Sequence, residues 1–285
     1  MPGRDLFTLL RPTWCPGCGL YGILEALKRA ASSLGLDPAS VVLVTGIGCH
    51  GRFPNYFRSY GFHGLHGRVM PIASGIKMVN PDLTVIGLSG DGDAYSIGLN
   101  HLLHAARRNI GILAVVVNNR VFALTQGQAS PTSPQGFVSI STPFGTVEPP
   151  LDGLQLALSA GATFLARGFS GEVGHLTHLI ARGLKHRGFG LIDILSPCVT
   201  HNKINTYEWY REHSEILDLT NNLQPDKNQA WHWLTQPDKF FLGVLFEEER
   251  ESFEELVLPD LNQPIAHLDL KPEPEKIRQL MEIFR

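Results

Sequence analysis

Two groups of residues in this chain have side chains and spacing suited to chemistry. The first is Gly90-Asp91-Gly92-Asp93 together with Asn118-Asn119. The Asp91 carboxylate and the Asn119 carboxamide are hard oxygen donors of the kind magnesium takes when it holds a phosphate-bearing cofactor. The glycines let the backbone come close to phosphate oxygens, and a helix N-terminus behind them favours negative charge. The second group is the cysteines, Cys15, Cys18, Cys49 and Cys198. One Cys-x-x-Cys pair and two distant singles can close a four-thiolate site, which zinc and a [4Fe–4S] cluster both accept. Structural zinc favours two paired knuckles, so the cluster is the stronger expectation, with zinc or unligated thiols as alternatives. Nothing marks a small secreted chain, which argues against two disulfides.

These residues must be brought together by secondary structure. Thr84–Ser89 reads as an apolar strand leading into the Gly-Asp turn. Ser96–Arg108 reads as a helix, with Ile97, Leu99, Leu102, Leu103 and Ala106 near helical spacing. Ile112–Val117 is a continuous apolar strand ending at the Asn pair. A β-α-β unit of this size makes its strands parallel, so Asp91 and Asn119 are expected on one sheet edge. Cys49 follows the strand Val41–Val44, and Cys198 follows Gly190–Leu195, which brings both to that same edge, where ligands of open α/β sheets collect. Tyr21–Leu34, Leu154–Gly161 and Gly174–His186 read as further helices, and Ala162–Ala166 as a further strand. The fold class is α/β, with a mostly parallel doubly wound sheet. Residues 46–75 are dense in Gly, His and Arg and read as a cofactor-lining loop, and residues 120–150 carry no clear element. On the Gly-Asp-Gly turn and the Asn pair alone, a Rossmann-like unit with ordinary turns stays open.

The chain has 285 residues, 43% of them hydrophobic, enough for one large α/β domain or two smaller ones. A net charge of −3 gives no sign of nucleic acid binding. No apolar run is long enough to span a bilayer, and the first fourteen residues lack the core of a secretory signal, so the cytoplasm is expected. Charge is uneven: residues 1–200 carry a net +5 and residues 201–285 a net −8. That shift predicts a cofactor-binding domain over 1–200 and an acidic, irregular or helical tail over 201–285. Trp209, Trp231 and Trp233 imply that the tail packs on the body or on a partner. Glu247–Glu251 reads as a solvated face and Glu275–Phe284 as a terminal helix.

The Gly-Asp-Gly turn followed by an Asn pair resembles the thiamine diphosphate signature. The fuller set is Trp-Cys15-Pro-Gly-Cys18-Gly, Gly-Ile-Gly48-Cys49-His50-Gly-Arg52, Gly90-Asp-Gly-Asp93, Asn118-Asn-Arg-Val121, Thr125-Gln-Gly-Gln-Ala-Ser-Pro-Thr132 and Leu-Ser-Pro-Cys198. It resembles the β subunit of 2-oxoacid:ferredoxin oxidoreductases over residues 13 to about 205 and accounts for all four cysteines.

The resemblance implies a sheet of the thiamine diphosphate-binding type, with Asp91, Asn119 and the main-chain carbonyl of Val121 on magnesium. Gly48, His50, Gly90, Gly92, Asp93, Leu124 and Thr125 would lie along the cofactor, and the four cysteines would hold one [4Fe–4S] cluster. It also implies CoA-dependent oxidative decarboxylation of a 2-oxoacid, with electrons passing through the cluster to ferredoxin. His50, Arg52 and His66 are candidate catalytic or substrate contacts, each with a plain alternative as a hydrogen-bonded loop residue. The glutamate that activates thiamine would come from an α subunit, alone or fused to a γ domain, in an (αβ)2 assembly. The stretch Thr142–Pro150 is most like members that use 2-oxoglutarate, with pyruvate or broad specificity as the alternative. Two rival readings are a non-oxidative thiamine-dependent lyase with structural cysteines and a zinc-stabilised interaction module.

Overall fold

The computed structural model describes residues 5–217, 225–236, 239–258, 263–269, 271 and 273–283. After a 3-10 turn at Asp5–Phe7, the elements begin with α1 (Leu20–Ser33), β1 (Val41–Thr45), β2 (Tyr60–His63), α2 (Val69–Val79) and β3 (Thr84–Gly90). There follow α3 (Leu99–Arg108), β4 (Leu113–Asn118), the two-residue ladder β5 (Val121–Phe122) and β6 (Gln128–Ala129), and α4 (Gly153–Ala160). Next come β7 (Phe164–Phe169), α5 (Val173–Lys185), β8 (Gly190–Leu195), α6 (Tyr207–Glu212) and β9 (Ser214–Ile216). The last are α7 (Lys227–Leu234), β10 (Phe240–Glu247), α8 (Phe253–Val257) and α9 (Pro274–Ile283). Phe284, the expected end of the terminal helix, lies outside the described residues.

The main sheet runs β2-β1-β3-β4-β8-β7-β10-β9. Strands β2 to β7 in that order are parallel, β10 pairs antiparallel with β7, and β9 pairs parallel with β10. The central strands are apolar throughout because helices cover both faces. On one face Leu43, Ile86, Val115 and Ile192 pack under α1 and α5. On the other, Val42, Val44, Val85, Ala114 and Leu191 pack under α2, α3 and α4. Each fully buried Leu or Ile contributes roughly 1.5–3 kcal/mol. Among the described residues no helix is long and apolar enough to cross a membrane.

Three departures from the sequence reading have physical causes. Residues 46–75 are more regular than expected: a 3-10 segment spans Cys49–Asn55, and β2 and α2 follow. All four β2 residues are exposed, and a strand this short stands out little from its Gly- and His-rich surroundings. The helix expected from Ser96 starts at Leu99, after a π turn at Asp93–Ile97 in which Ser96 is non-helical. Such turns recur at functional sites. The C-terminal region is helical in part, and it also supplies β9 and β10 to the sheet; Trp209 stacks on His213 and Trp233 packs against Phe241, while Trp231 is half-exposed.

Candidate active site

Strands β3 and β4 are adjacent and parallel, so Gly90 and Asn118 end on one edge. A cavity of about 270 Å³ opens there, lined by Gly48, His50, His66, Gly90, Asp91, Gly92, Asp93, Asn119, Val121, Leu124 and Thr125 among others. Asp91 is buried, and its Oδ2 accepts the Ser130 hydroxyl at 2.6 Å. Thr132 Oγ1 lies 2.6 Å from the same oxygen and 3.0 Å from Asn118 Oδ1, tying the two turns together. Burial pushes the Asp91 carboxyl up, against the pull of these hydroxyls and of backbone N–H groups. A buried carboxylate in that position gains from a cation.

The Asn119 Oδ1 accepts the Val121 N–H at 3.1 Å, and Asn202 Nδ2 donates to the Asn119 carbonyl. Between them Arg120 sits at φ 60°, with its Nε donating to the Thr132 carbonyl at 2.7 Å. Glycine is obligatory at position 92, where a Cβ would stand 2.2 Å from the Phe122 ring. At Gly48 a Cβ would stand 2.5 Å from the His50 ring.

Asp93 has a separate set of partners. Its Oδ1 accepts the Gly67 N–H at 2.6 Å and lies 2.9 Å from His66 Nδ1, and its Oδ2 faces His50 Nε2 at 3.6 Å. Burial alone would raise this carboxyl; His50, the Gly67 N–H and His66 outweigh it and hold it below the usual range. His50 Nε2 also receives the Gly90 N–H at 3.1 Å, so His50 braces the Gly-Asp turn.

The four cysteines, all free, line a second cavity of about 510 Å³. The Gly19 N–H donates to the Pro197 carbonyl, and the Trp14 Nε1 donates to the Cys49 carbonyl at 2.8 Å, which joins the three cysteine-bearing segments. Burial pushes the Cys18 thiol up to about 11, with Cys198, Cys49 and Cys15 adding to the shift. Burial raises Cys49 as well. Among the described residues no three His, Cys, Asp or Glu side chains are close enough to hold one metal ion. Four thiols around one cavity are a ligand set that zinc and a four-iron cluster both accept. Arg52 belongs to this cavity, with its Nη1 donating to Thr13 Oγ1 at 2.9 Å. The two cavities share Ile47, Gly48, Cys49, Asn119, Ala123 and Leu124.

Residues 46–194 match the family described as thiamine pyrophosphate enzyme, C-terminal TPP binding domain. Residues 198–260 match the family that describes the C-terminal part of the pyruvate ferredoxin oxidoreductase β chain. The chain is 40% identical to the 2-oxoacid:ferredoxin oxidoreductase subunit beta of Sulfolobus sp, over 93% of this chain and 91% of that one. It belongs to this family of β subunits. A further relative is the 2-oxoglutarate synthase subunit KorB of Archaeoglobus fulgidus, 36% identical over 87% of this chain and 90% of its own. Among solved structures, the β subunit superposes on a chain of the 2-oxoglutarate:ferredoxin oxidoreductase from Magnetococcus marinus, determined with 2-oxoglutarate, coenzyme A and succinyl-CoA bound. The TM-score is 0.91 at 34% identity, over 98% of this chain and 96% of that one.

Several groups that the β subunit builds into the site carry little signal in the sequence. Ser130, Thr132 and Ser133 form a hydroxyl cluster under Asp91 and Arg120. Asp193 accepts from Tyr95 at 2.7 Å and from Asn118 at 3.2 Å, and so supports the Asn pair from beneath. The only signal for these was the Ser-Pro-Thr motif and a lone Asp inside an apolar strand.

Proposed function

We propose that this β subunit, with an α subunit, catalyses CoA-dependent oxidative decarboxylation of 2-oxoglutarate to succinyl-CoA and carbon dioxide. Electrons leave through one [4Fe–4S] cluster to ferredoxin. The observation carrying this reading is the wall common to the two cavities. Gly48 and Cys49 line both the space flanked by Asp91 and Asn119 and the space ringed by four thiols. Electron transfer needs such proximity.

When bound, thiamine diphosphate and the cluster supply the electron sink and the one-electron relay that side chains lack. The chain's own residues bind and orient. Asp91, Asn119 and the Val121 carbonyl hold magnesium, and Ser130 and Thr132 fix the Asp91 carboxylate. Gly48, Gly90 and Gly92 let backbone come close to the diphosphate, with Asp93 bracing the turn through His50 and His66. Leu124 and Thr125 cover the cofactor, and His50, Arg52 and His66 are the candidates for contact with the reacting 2-oxoacid. Cys15, Cys18, Cys49 and Cys198 bind the cluster as thiolates, releasing protons as it assembles. The glutamate that thiamine needs comes from the α subunit, in an (αβ)2 assembly in the cytoplasm. Residues 1–200 carry the proposed cofactor ligands, and the acidic region 201–285 adds β9 and β10 to the same sheet.

Pyruvate, or a range of 2-oxoacids, is the second reading. The match of residues 198–260 to a pyruvate enzyme segment, and the unrestricted 2-oxoacid in the Sulfolobus name, favour it. Anaerobic co-purification with the α subunit tests both. About four irons and one thiamine per β chain, with ferredoxin reduction on 2-oxoglutarate plus CoA, are expected. Faster turnover on pyruvate would replace the substrate assignment. Zinc in place of iron would overturn the electron-transfer half.

A further inference from the structure

Strands β4 and β8 are neighbours in the sheet, with Asn118 opposite Leu195, so the Asn118–Val121 turn and the Cys198 loop leave it side by side. The loop holds the turn residue by residue. The Ser196 N–H donates to the Asn118 carbonyl at 2.9 Å, continuing the strand ladder. Asn202 Nδ2 donates to the Asn119 carbonyl at 3.1 Å. Cys198 packs with Val121 and Phe137 in a small buried cluster. Asn119 itself lines both cavities.

Asn202 is the side chain in this junction whose bonds reach both segments. It is 2% exposed. Its Oδ1 accepts the Ile204 and Asn205 N–H groups at 3.1 and 3.0 Å, and its Nδ2 donates to Asn205 Oδ1 at 3.2 Å as well as to Asn119. Two N–H donors on Oδ1 leave the amide one orientation, with Nδ2 toward Asn119. A buried amide with its bonds made is costly to displace, so it transmits a backbone shift rather than absorbing it. The Asn202 N–H donates to the Cys198 carbonyl at 3.0 Å, closing one turn of chain, so the position of Cys198 sets that of Asn202. Cys198 is the buried thiol of the four, whereas Cys15 is exposed.

We propose that Asn202 is a positioning residue that couples the two cofactor sites. Ligation at Cys198 fixes the loop, and Asn202 passes that constraint to the Asn119 main chain, so each cofactor binds more tightly when the other is present. The inference rests on the function proposed above. Ordering the junction costs conformational freedom, and whichever cofactor binds first meets that cost for both. The coupling is reciprocal and runs through a contiguous hydrogen-bonded network.

The test uses the αβ complex, loaded with iron and depleted of iron by chelation under argon. Thiamine diphosphate is titrated with magnesium into each form, and binding is read by fluorescence. In the wild type, iron depletion is expected to raise the thiamine Kd about fivefold. Asn202→Ser keeps a short side-chain oxygen for the two turn N–H groups and cannot reach the Asn119 carbonyl. In that variant the Kd is expected to be the same in both forms, with the iron content of the loaded complex unchanged. A Kd raised equally in both forms, with the fivefold ratio kept, makes Asn202 a purely structural residue and overturns the proposal. So does a wild-type ratio of one. If Asn202→Ser fails to assemble, Asn202→Asp, which keeps both acceptor bonds and lacks the donor, decides by the same ratio. A complex that holds iron and reduces ferredoxin yet shows no ratio overturns the coupling alone. One that never holds iron overturns the proposed function with it.

Discussion

At the scale of single residues, the site depends on groups that never touch a ligand. Ser130 donates to the Asp91 oxygen at 2.6 Å and so fixes the carboxylate proposed above as a magnesium ligand. Ser130→Ala is expected to weaken magnesium-dependent thiamine diphosphate binding about tenfold, as loss of a partner behind a metal ligand does. Asp91→Ala is expected to abolish retention of the cofactor. A fluorescence titration of the αβ complex with thiamine diphosphate measures both. Asp193 offers a second handle. Burial pushes its carboxyl up to about 6, against Arg167 and the Tyr95 hydrogen bond. A folded-state value above the ordinary 3.8 means that the fold holds this proton more tightly than the unfolded chain does. The stability it contributes is complete below about pH 4 and is lost as pH rises through about 6. Asp193→Asn has no such proton to lose. Its melting temperature is expected to rise relative to wild type between pH 4 and 6 and to keep that advantage above. Parallel melting curves that never diverge would contradict the assignment.

At the scale of elements, the C-terminal region reaches into the site. Strand β10 pairs with β7, and the Phe240 ring lies 5.9 Å from the Arg120 guanidinium, with Trp209 on α6 at 6.0 Å. Arg120 is the left-handed residue inside the Asn119–Val121 turn. Trp209→Ala is expected to loosen that turn and weaken thiamine diphosphate retention about threefold, the effect of losing a cation–π contact of modest strength. Cofactor content after gel filtration reports it. The β3-α3-β4 unit was legible because its strands are unbroken apolar runs ending in polar turns. Strand β8 was legible for the same reason, down to its ends at Gly190 and Leu195. Strand β2 was not, since it is exposed on both faces, and α2 hides behind His-Gly-Arg and carries Pro71 and Gly75. The run Phe240–Phe246 had the length and apolarity of a strand but stood in a region dominated by acidic residues. The convergence of Asp91, Asn119, Cys49 and Cys198 followed from parallel topology; that of Cys15 and Cys18, which lie ahead of α1, rested on the resemblance. The hydroxyls of Ser130 and Thr132 did not, because contacts between residues 39 and 41 positions apart have no periodic signature.

At the scale of the whole molecule, the chain is half of a catalyst. Its cofactor cavity offers two histidines, Asp91 and Asp93 among its ionisable groups, and no glutamate. The purified β subunit is therefore expected to show no turnover with any 2-oxoacid, and activity is expected to appear on adding the α subunit, followed as ferredoxin or viologen bleaching. Exposure of Cys15 carries a further consequence. A corner open enough to hand electrons to a protein is also open to dissolved oxygen, which is smaller than any carrier and reacts wherever reduced sulfur and iron are reachable. Air is thus expected to strip iron from this corner while the site proposed for magnesium, where Asp91 is buried against the Ser130 and Thr132 hydroxyls, still keeps its thiamine. Timed metal and thiamine assays after aeration would show iron falling first. Oxygen tolerance in this protein would then be set by the few side chains that shade one cysteine.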